Sequence, residues 1–168
     1  MARRTGLVLL IATVVVLTGF GGATRPLRPG DHLGKMVLRR GTAVTAGFKL
    51  FDICNPPGSG RQHCGLVPDV RRLFIGYGSF APPDQISQLW TQTTWSGWLD
   101  GHRLQLSAFG SSDRTLDAYP PAGGQDVTLR EWRVVLVGAT PGRDTIRYRS
   151  LGPDGNSDVT WIFTVARS

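Results

Sequence analysis

The sequence of 168 residues holds one glutamate, Glu131, two lysines, Lys35 and Lys49, and two cysteines, Cys54 and Cys64. Each scarcity leaves a class of function poorly supported. A glycosidase needs two carboxylates flanking the scissile bond, and with eleven Asp and one Glu no spacing nominates a pair. A structural zinc site wants four ligands at recognisable spacing, and two Cys with the neighbouring His63 do not supply them. Gly-x-Ser-x-Gly and His-Glu-x-x-His are absent, which removes the common serine-hydrolase and zinc-protease signatures. No apolar run long enough to cross a bilayer follows the N-terminal segment, so a polytopic membrane protein is excluded, and the length leaves no room for a multidomain enzyme.

What is present begins with Met1, Ala2, Arg3 and Arg4, an apolar run from Leu7 to Phe20, and Gly21-Gly22-Ala23. A basic start, an apolar stretch short of the roughly 20 residues that span a bilayer, and small residues at its exit predict a secretory signal peptide over 1–23. The competing reading keeps the run as an uncleaved anchor. Both place the remainder outside the cytoplasm, secreted or at the cell surface, with no membrane span after cleavage.

Cleavage after Ala23 leaves 145 residues with 17 basic against 12 acidic, or +5, where the whole chain carries +7. A domain of that size buries about 68 to 70% of its unfolded surface and needs no cofactor to hold it. The basic excess is almost all arginine, and only Arg39-Arg40 and Arg71-Arg72 are adjacent in the exported part. A nucleic-acid footprint requires clustering on one face, so no nucleic-acid partner is expected. Cys54 and Cys64 in an exported chain predict a disulfide around a turn-forming segment, worth roughly 3 kcal/mol in the chain-entropy model.

From Leu27 onward short apolar alternations are broken by Gly, Pro, Asn and Asp, with no long segment at helical period. That pattern predicts an all-β, antiparallel two-sheet β-sandwich of about eight strands over 35–168, preceded by a lead segment at 24–34. Strands are expected at 36–40, 44–53, 73–77, 94–99, 102–109, 128–137, 145–150 and 159–165. One short helix is expected near 84–91, with Asp84 as its cap, and 110–125 reads as the longest loop without structure.

The Asp100-Gly101 pair predicts a two-residue hairpin turn. Register follows: Leu99 opposite His102, Gly97 opposite Leu104 and Trp95 opposite Leu106 on an apolar face. Trp98 opposite Arg103, Ser96 opposite Gln105 and Thr94 opposite Ser107 form the polar face. A tryptophan on a polar sheet face offers a flat surface for a sugar ring or an apolar partner. Trp98, Arg103 and Gln105 are therefore the candidate ligand contacts, with Trp90 and Tyr119 as neighbours. The competing reading is that Trp90 and Trp95 are core and Trp98 is shielded by a loop or by Arg103 stacked on it.

Pro141-Gly142-Arg143-Asp144-Thr145-Ile146-Arg147-Tyr148, then Asp154-Gly155-Asn156, then an alternating strand to the end, resembles the final hairpin of bacterial immunoglobulin-like domains over about 25 residues. The remainder, with its Pro29-Gly30-Asp31 opening and Cys loop, resembles secreted proteins of unknown function from GC-rich bacteria. The resemblance implies an immunoglobulin-like sandwich and no activity. The Cys pair departs from the inter-sheet bridge of antibody domains, because ten residues cannot span two sheets.

Two short motifs fail on their surroundings. Gly76-Tyr77-Gly78-Ser79-Phe80-Ala81 matches a dinucleotide fingerprint, but two prolines follow where a long helix must open, so a Gly-rich turn between strands is expected. Asp154, Asn156 and Asp158 have calcium-loop spacing, but Val159 and Val165 stand where the loop needs Gly and Glu, so a polar turn is preferred and no metal is assigned. The functional reading is an exported non-catalytic binding or structural module, its partner a cell-wall polysaccharide or another surface protein. The alternative is a secreted glycan-directed hydrolase on a jelly-roll scaffold, with Asp100, His102, Asp126 or Glu131 as acid/base groups.

Overall fold

The structure is a computed structural model that describes residues 25–42, 47–54 and 60–167. The expected signal peptide and part of the Cys loop lie outside the described residues. Among them are β1 (His32–Leu33), β2 (Met36–Arg40), β3 (Phe48–Lys49), β4 (Gly60–Val67), β5 (Arg72–Ala81), α1 (Ile86–Gln92), β6 (Thr94–Leu99), β7 (His102–Leu104), α2 (Leu106–Phe109), β8 (Ser111–Tyr119), β9 (Gln125–Val137), β10 (Gly142–Gly152) and β11 (Gly155–Val165). Single 3-10 turns occupy Leu50–Asp52 and Pro120–Ala122.

The strands form two sheets. One has the order β1-β2-β9-β5-β3, with β8 also paired to β9; the other runs β4-β11-β10-β6-β7. The long strand β9 takes β5 on one side, while β2 and β8 share its other side end to end, at 134–137 and 125–132 respectively. Both sheets are mixed, which corrects the antiparallel expectation: β4 runs parallel to β11, and β3 parallel to β5.

Alternation explains the core. On β10, Ile146 and Tyr148 are buried while Arg147 and Arg149 are exposed, and on β11 Val159, Trp161, Phe163 and Val165 are buried. They meet Leu73 and Ile75 of β5 and Val134 and Leu136 of β9 in one cluster. A column of rings ties the sheets together. Tyr77 of β5 stacks on Tyr148 of β10 with centroids 4.8 Å apart, both meet Trp161 edge-on at 6.3 Å, and the Tyr77 hydroxyl donates to Ser157 Oγ at 2.7 Å. Burial pushes the Tyr148 hydroxyl pKa up.

Several expectations need correction. The segment 110–125 is largely strand β8, paired with β9 and kinked at Ala118, whose backbone N–H donates to Asp126 Oδ1 at φ 46°. The strand expected over 102–109 stops at Leu104 and becomes α2. Gln85, not Asp84, occupies the start of α1, without a side-chain cap. Gly76 to Ala81 lie inside β5 rather than in a turn. Of the segment expected as a strand over 44–53, residues 48–49 are strand, 50–52 are a 3-10 turn, and 44–46 lie outside the described residues. The Cys54–Cys64 disulfide is present, and it fastens the end of that turn to β4 with Cys54 inside the core. The lead segment docks along β7: Leu27 N donates to Arg103 O at 2.7 Å, and Gln105 N to Leu27 O at 2.9 Å.

Candidate functional site

The outer face of the five-stranded sheet carries the candidate site. The Asp100-Gly101 turn gives the expected pairs Leu99 with His102, Gly97 with Leu104, and Trp98 with Arg103. Asp100 and Gly101 both have positive φ, 47° and 78°, as a type I′ turn requires. On the far side of β6, Trp98 pairs with Arg147 of β10, which pairs with Thr160 of β11, which pairs with Arg61 of β4. One row therefore crosses five strands as Arg103, Trp98, Arg147, Thr160 and Arg61.

Interaction within the row is specific. Arg147 reaches Asp158 through a bidentate fork, Nε to Oδ1 at 2.8 Å and Nη2 to Oδ2 at 2.5 Å, and its guanidinium carbon lies 5.2 Å from the Trp98 ring centroid. The hydrogen bonds from Arg147 hold the Asp158 carboxyl below its usual range. Arg147 stacks on Trp98, where Arg103 had been expected to. A shallow trough of about 800 Å³ follows the row, lined by Gly60, Arg61, Trp98, Gly101, Thr145, Arg147, Asp158 and Thr160.

The other sequence candidates separate. Gln105 is not opposite Ser96; it follows β7, and its Oε1 accepts from Arg28 Nε at 2.6 Å. Trp90 sits on α1 against Trp95 and Trp132, with centroids 4.5 and 4.9 Å away. Tyr119 belongs to the other sheet, edge-on to Phe80 at 5.0 Å. Asp126 caps the β8–β9 kink, and Glu131 pairs with buried Arg133 at 2.6 Å, both on β9. His102 is exposed on β7. The four candidate acid/base groups thus divide between the Asp100–His102 hairpin end of the five-stranded sheet and β9 of the other sheet, where Asp126 is committed to Ala118 N and Glu131 to Arg133. Asp158 of the calcium-like triplet is committed to Arg147.

Arg147, Thr160 and Arg61 joined the row without any short-range signal, since only the β4–β11–β10–β6 pairing brings them beside Trp98. Asp144 was likewise missed. Burial first, then the neighbouring Asp100 carboxylate, push its pKa up to about 6. Asp100 is held in place by accepting from Thr145 N at 2.7 Å and Thr145 Oγ1 at 3.2 Å.

A carboxyl raised in the fold is one whose charged form the fold disfavours. Its contribution to stability is present below about pH 4, declines as pH rises towards 6, and is absent above that. Asp144→Asn is therefore expected to stabilise the protein at pH 7 by about 1 kcal/mol, a figure reduced because the group is half-exposed, and to add nothing at pH 4. Urea unfolding at the two pH values checks this; an equal gain at both would reject the titration account.

No family model matches the chain, and no curated protein matches it. Among solved structures, the cysteine protease inhibitor EhICP2 from Entamoeba histolytica is similar at 13% identity, covering 71% of this chain and 93% of that one, with a TM-score of 0.30. A TM-score at that level assigns neither fold nor activity.

Proposed function

We propose that the chain is an exported immunoglobulin-like β-sandwich, acting as a non-catalytic binding module at the bacterial surface or in the medium, and that its contact surface is the outer face of the five-stranded sheet. The observation that carries this reading is the row Arg103, Trp98, Arg147, Thr160 and Arg61 along one trough. Arg61, Arg103 and Arg147 with Arg149 outnumber the single Asp158 on these rows, so the face is basic around one tryptophan. An anionic cell-wall polysaccharide fits that combination: acid groups meet the arginines, and a sugar ring meets the indole. A disulfide and the absence of a membrane-crossing helix among the described residues are compatible with export.

Trp98→Ala is expected to weaken retention on cell-wall polysaccharide at least tenfold and to remove the ligand-dependent part of the fluorescence quenching. Unchanged pull-down and unchanged quenching would sink the carbohydrate reading. Salt should weaken the interaction too, because exposed charges are screened over about 10 Å at 0.1 M.

The hydrolase reading has one observation in its favour. Asp100 and Asp144 form a carboxyl pair beside Gly101 and Thr145, which line the trough. Release of new reducing ends from cell-wall polysaccharide, abolished in Asp144→Asn, would favour catalysis over binding.

A further inference from the structure

The guanidinium groups of the outer-face row are unevenly engaged. At its centre Arg147 is locked to Asp158 by a bidentate fork, so that position offers donors and acceptors together but no net charge. Arg61 and Arg103, at the two ends, are exposed and make no ion pair among the described residues. Asp100, in the turn before Arg103, is turned onto Thr145 instead. Between the ends and the centre stand Trp98 and Thr160, both uncharged. The row is thus cation, indole, neutral ion pair, hydroxyl, cation.

Each member of the row belongs to a different strand, so its members are separated by the strand spacing. Four steps of about 4.8 Å place the Cα atoms of Arg103 and Arg61 roughly 19 Å apart. An extended pyranose chain advances by about one such step per sugar, so consecutive sugars keep pace with consecutive strands. The sheet twist of roughly 20 to 25° per strand turns the row through about a quarter of a turn from end to end. A rigid flat ligand cannot follow that turn, whereas a chain jointed at every glycosidic bond can. Arg147 covers one face of the Trp98 ring, and no other described ring or guanidinium lies against it, which leaves the opposite face for a sugar.

We propose, resting on the binding reading of this face, that it takes a sparsely acidic linear glycan laid across the strands, one sugar to each strand, with acid groups on the first and fifth sugars only. Arg103 and Arg61 hold those acid groups, and the Trp98 indole meets the second sugar. The Arg147–Asp158 fork and the Thr160 hydroxyl bond the hydroxyls of the third and fourth. A denser polyanion is disfavoured, because it would bring an acid group onto the Asp158 carboxylate and another onto the indole. A neutral glycan forgoes the charge-assisted hydrogen bonds at both ends.

The probe is a set of short fragments of deacylated gellan, which carries one carboxylate in every four sugars. Fragments of polygalacturonate, with a carboxylate on every sugar, and of dextran, with none, are the controls at matched length. Calorimetric titration of the exported chain at about 0.15 M salt, where diffuse attraction is screened, is expected to show gellan binding at least tenfold more tightly than either control. Arg61→Gln and Arg103→Gln should each weaken gellan about tenfold, whereas Arg149→Gln, on the same face but off the row, should change it less than twofold. All three side chains are exposed, and unchanged urea midpoints check that the fold is kept. Polygalacturonate binding as tightly as gellan, or Arg149→Gln matching the two end variants, would overturn the spacing while leaving the face a binder if Trp98→Ala still weakens retention. Glycan retention untouched by Trp98→Ala would remove the binding reading itself, and this proposal with it.

Discussion

Gly78→Ala is expected to cost more than about 3 kcal/mol, above the usual overpacking penalty, because the obstacle is backbone rather than a side chain that can rotate away. In the β5–β9 ladder Gly78 is opposite Glu131. A Cβ at this position would fall far inside van der Waals contact of the Arg130 carbonyl oxygen and 2.6 Å from Glu131 Cα. Neither atom can move without parting β5 from β9, and β9 is the strand on which β2, β5 and β8 all pair. Gly76 provides the internal comparison. Its Cβ would meet Glu131 Oε2 at 2.5 Å and Phe74 Cε1 at 3.0 Å, both side-chain atoms. Gly76→Ala should therefore cost less, mainly by displacing the Glu131 carboxylate from its pair with Arg133, which is buried and lies over the Phe74 ring at 5.0 Å. Urea midpoints of the two variants at pH 7 decide the matter. A Gly78→Ala midpoint equal to that of the parent would reject the close-approach account.

These two glycines also show where short-range reading of the sequence stops. Gly76 to Ala81 carry the composition of a turn, and nothing local says that a partner strand presses against them. Where the determinant is local, the reading holds to the residue. Met36–Arg40 and Thr94–Leu99 coincide with β2 and β6, and the Asp100-Gly101 pair sets the register of Trp98 against Arg103 because a two-residue turn allows no slip. The same hairpin fails three residues later. The stretch Leu104-Gln105-Leu106-Ser107 continues the period of two, but Leu106 and Phe109 are both buried through a single helical turn that packs on β6 and β9. Four residues cannot display a helical period, so tertiary packing decides there. Strand β8 was hidden for the opposite reason. Ser111–Tyr119 is mostly exposed, so it lacks the apolar alternation that marks a half-buried strand.

The candidate site divides along the same line. Trp98 and Arg103 were legible because one turn joins them. Arg147, Thr160 and Arg61 were not, because β10 reaches β6 from 45 or more residues away and β4 joins the sheet parallel to β11, a pairing that no hairpin announces. Gln105 was misplaced by the strand that became helix, and the structure sets it between β7 and α2, where its Oε1 accepts from Arg28 Nε. The arginines that looked scattered along the chain come from three strands, β4, β7 and β10, onto one face. Dispersion in sequence is what a row across a sheet requires, since each strand contributes one residue to it.

Trp161→Ala is expected to cost about 3 to 5 kcal/mol, a large share of the 5 to 15 kcal/mol that holds a typical domain. Trp161 is 1% exposed and stands at the junction of the two sheets, edge-on to Phe51, Tyr77 and Tyr148 with centroids 6.1 to 6.3 Å away. Its Nε1 donates to Gln62 Oε1 at 2.9 Å, joining β11 to β4 beneath the outer face. Truncation removes both the ring and the donor and leaves a cavity beside the Tyr77–Tyr148 stack. Trp161→Phe keeps an aromatic body, deletes the hydrogen bond and leaves a much smaller cavity, and should cost about 1 to 3 kcal/mol, less than Trp161→Ala. Phe51→Ala should cost under about 1 kcal/mol, since that ring is 41% exposed and its removal opens to solvent. Denaturant unfolding followed by near-ultraviolet circular dichroism ranks the three variants. If Trp161→Ala and Phe51→Ala destabilise equally, the ring column is not what couples the sheets, and the outer-face row loses the rigid floor on which β4 and β11 hold Arg61 and Thr160 in line.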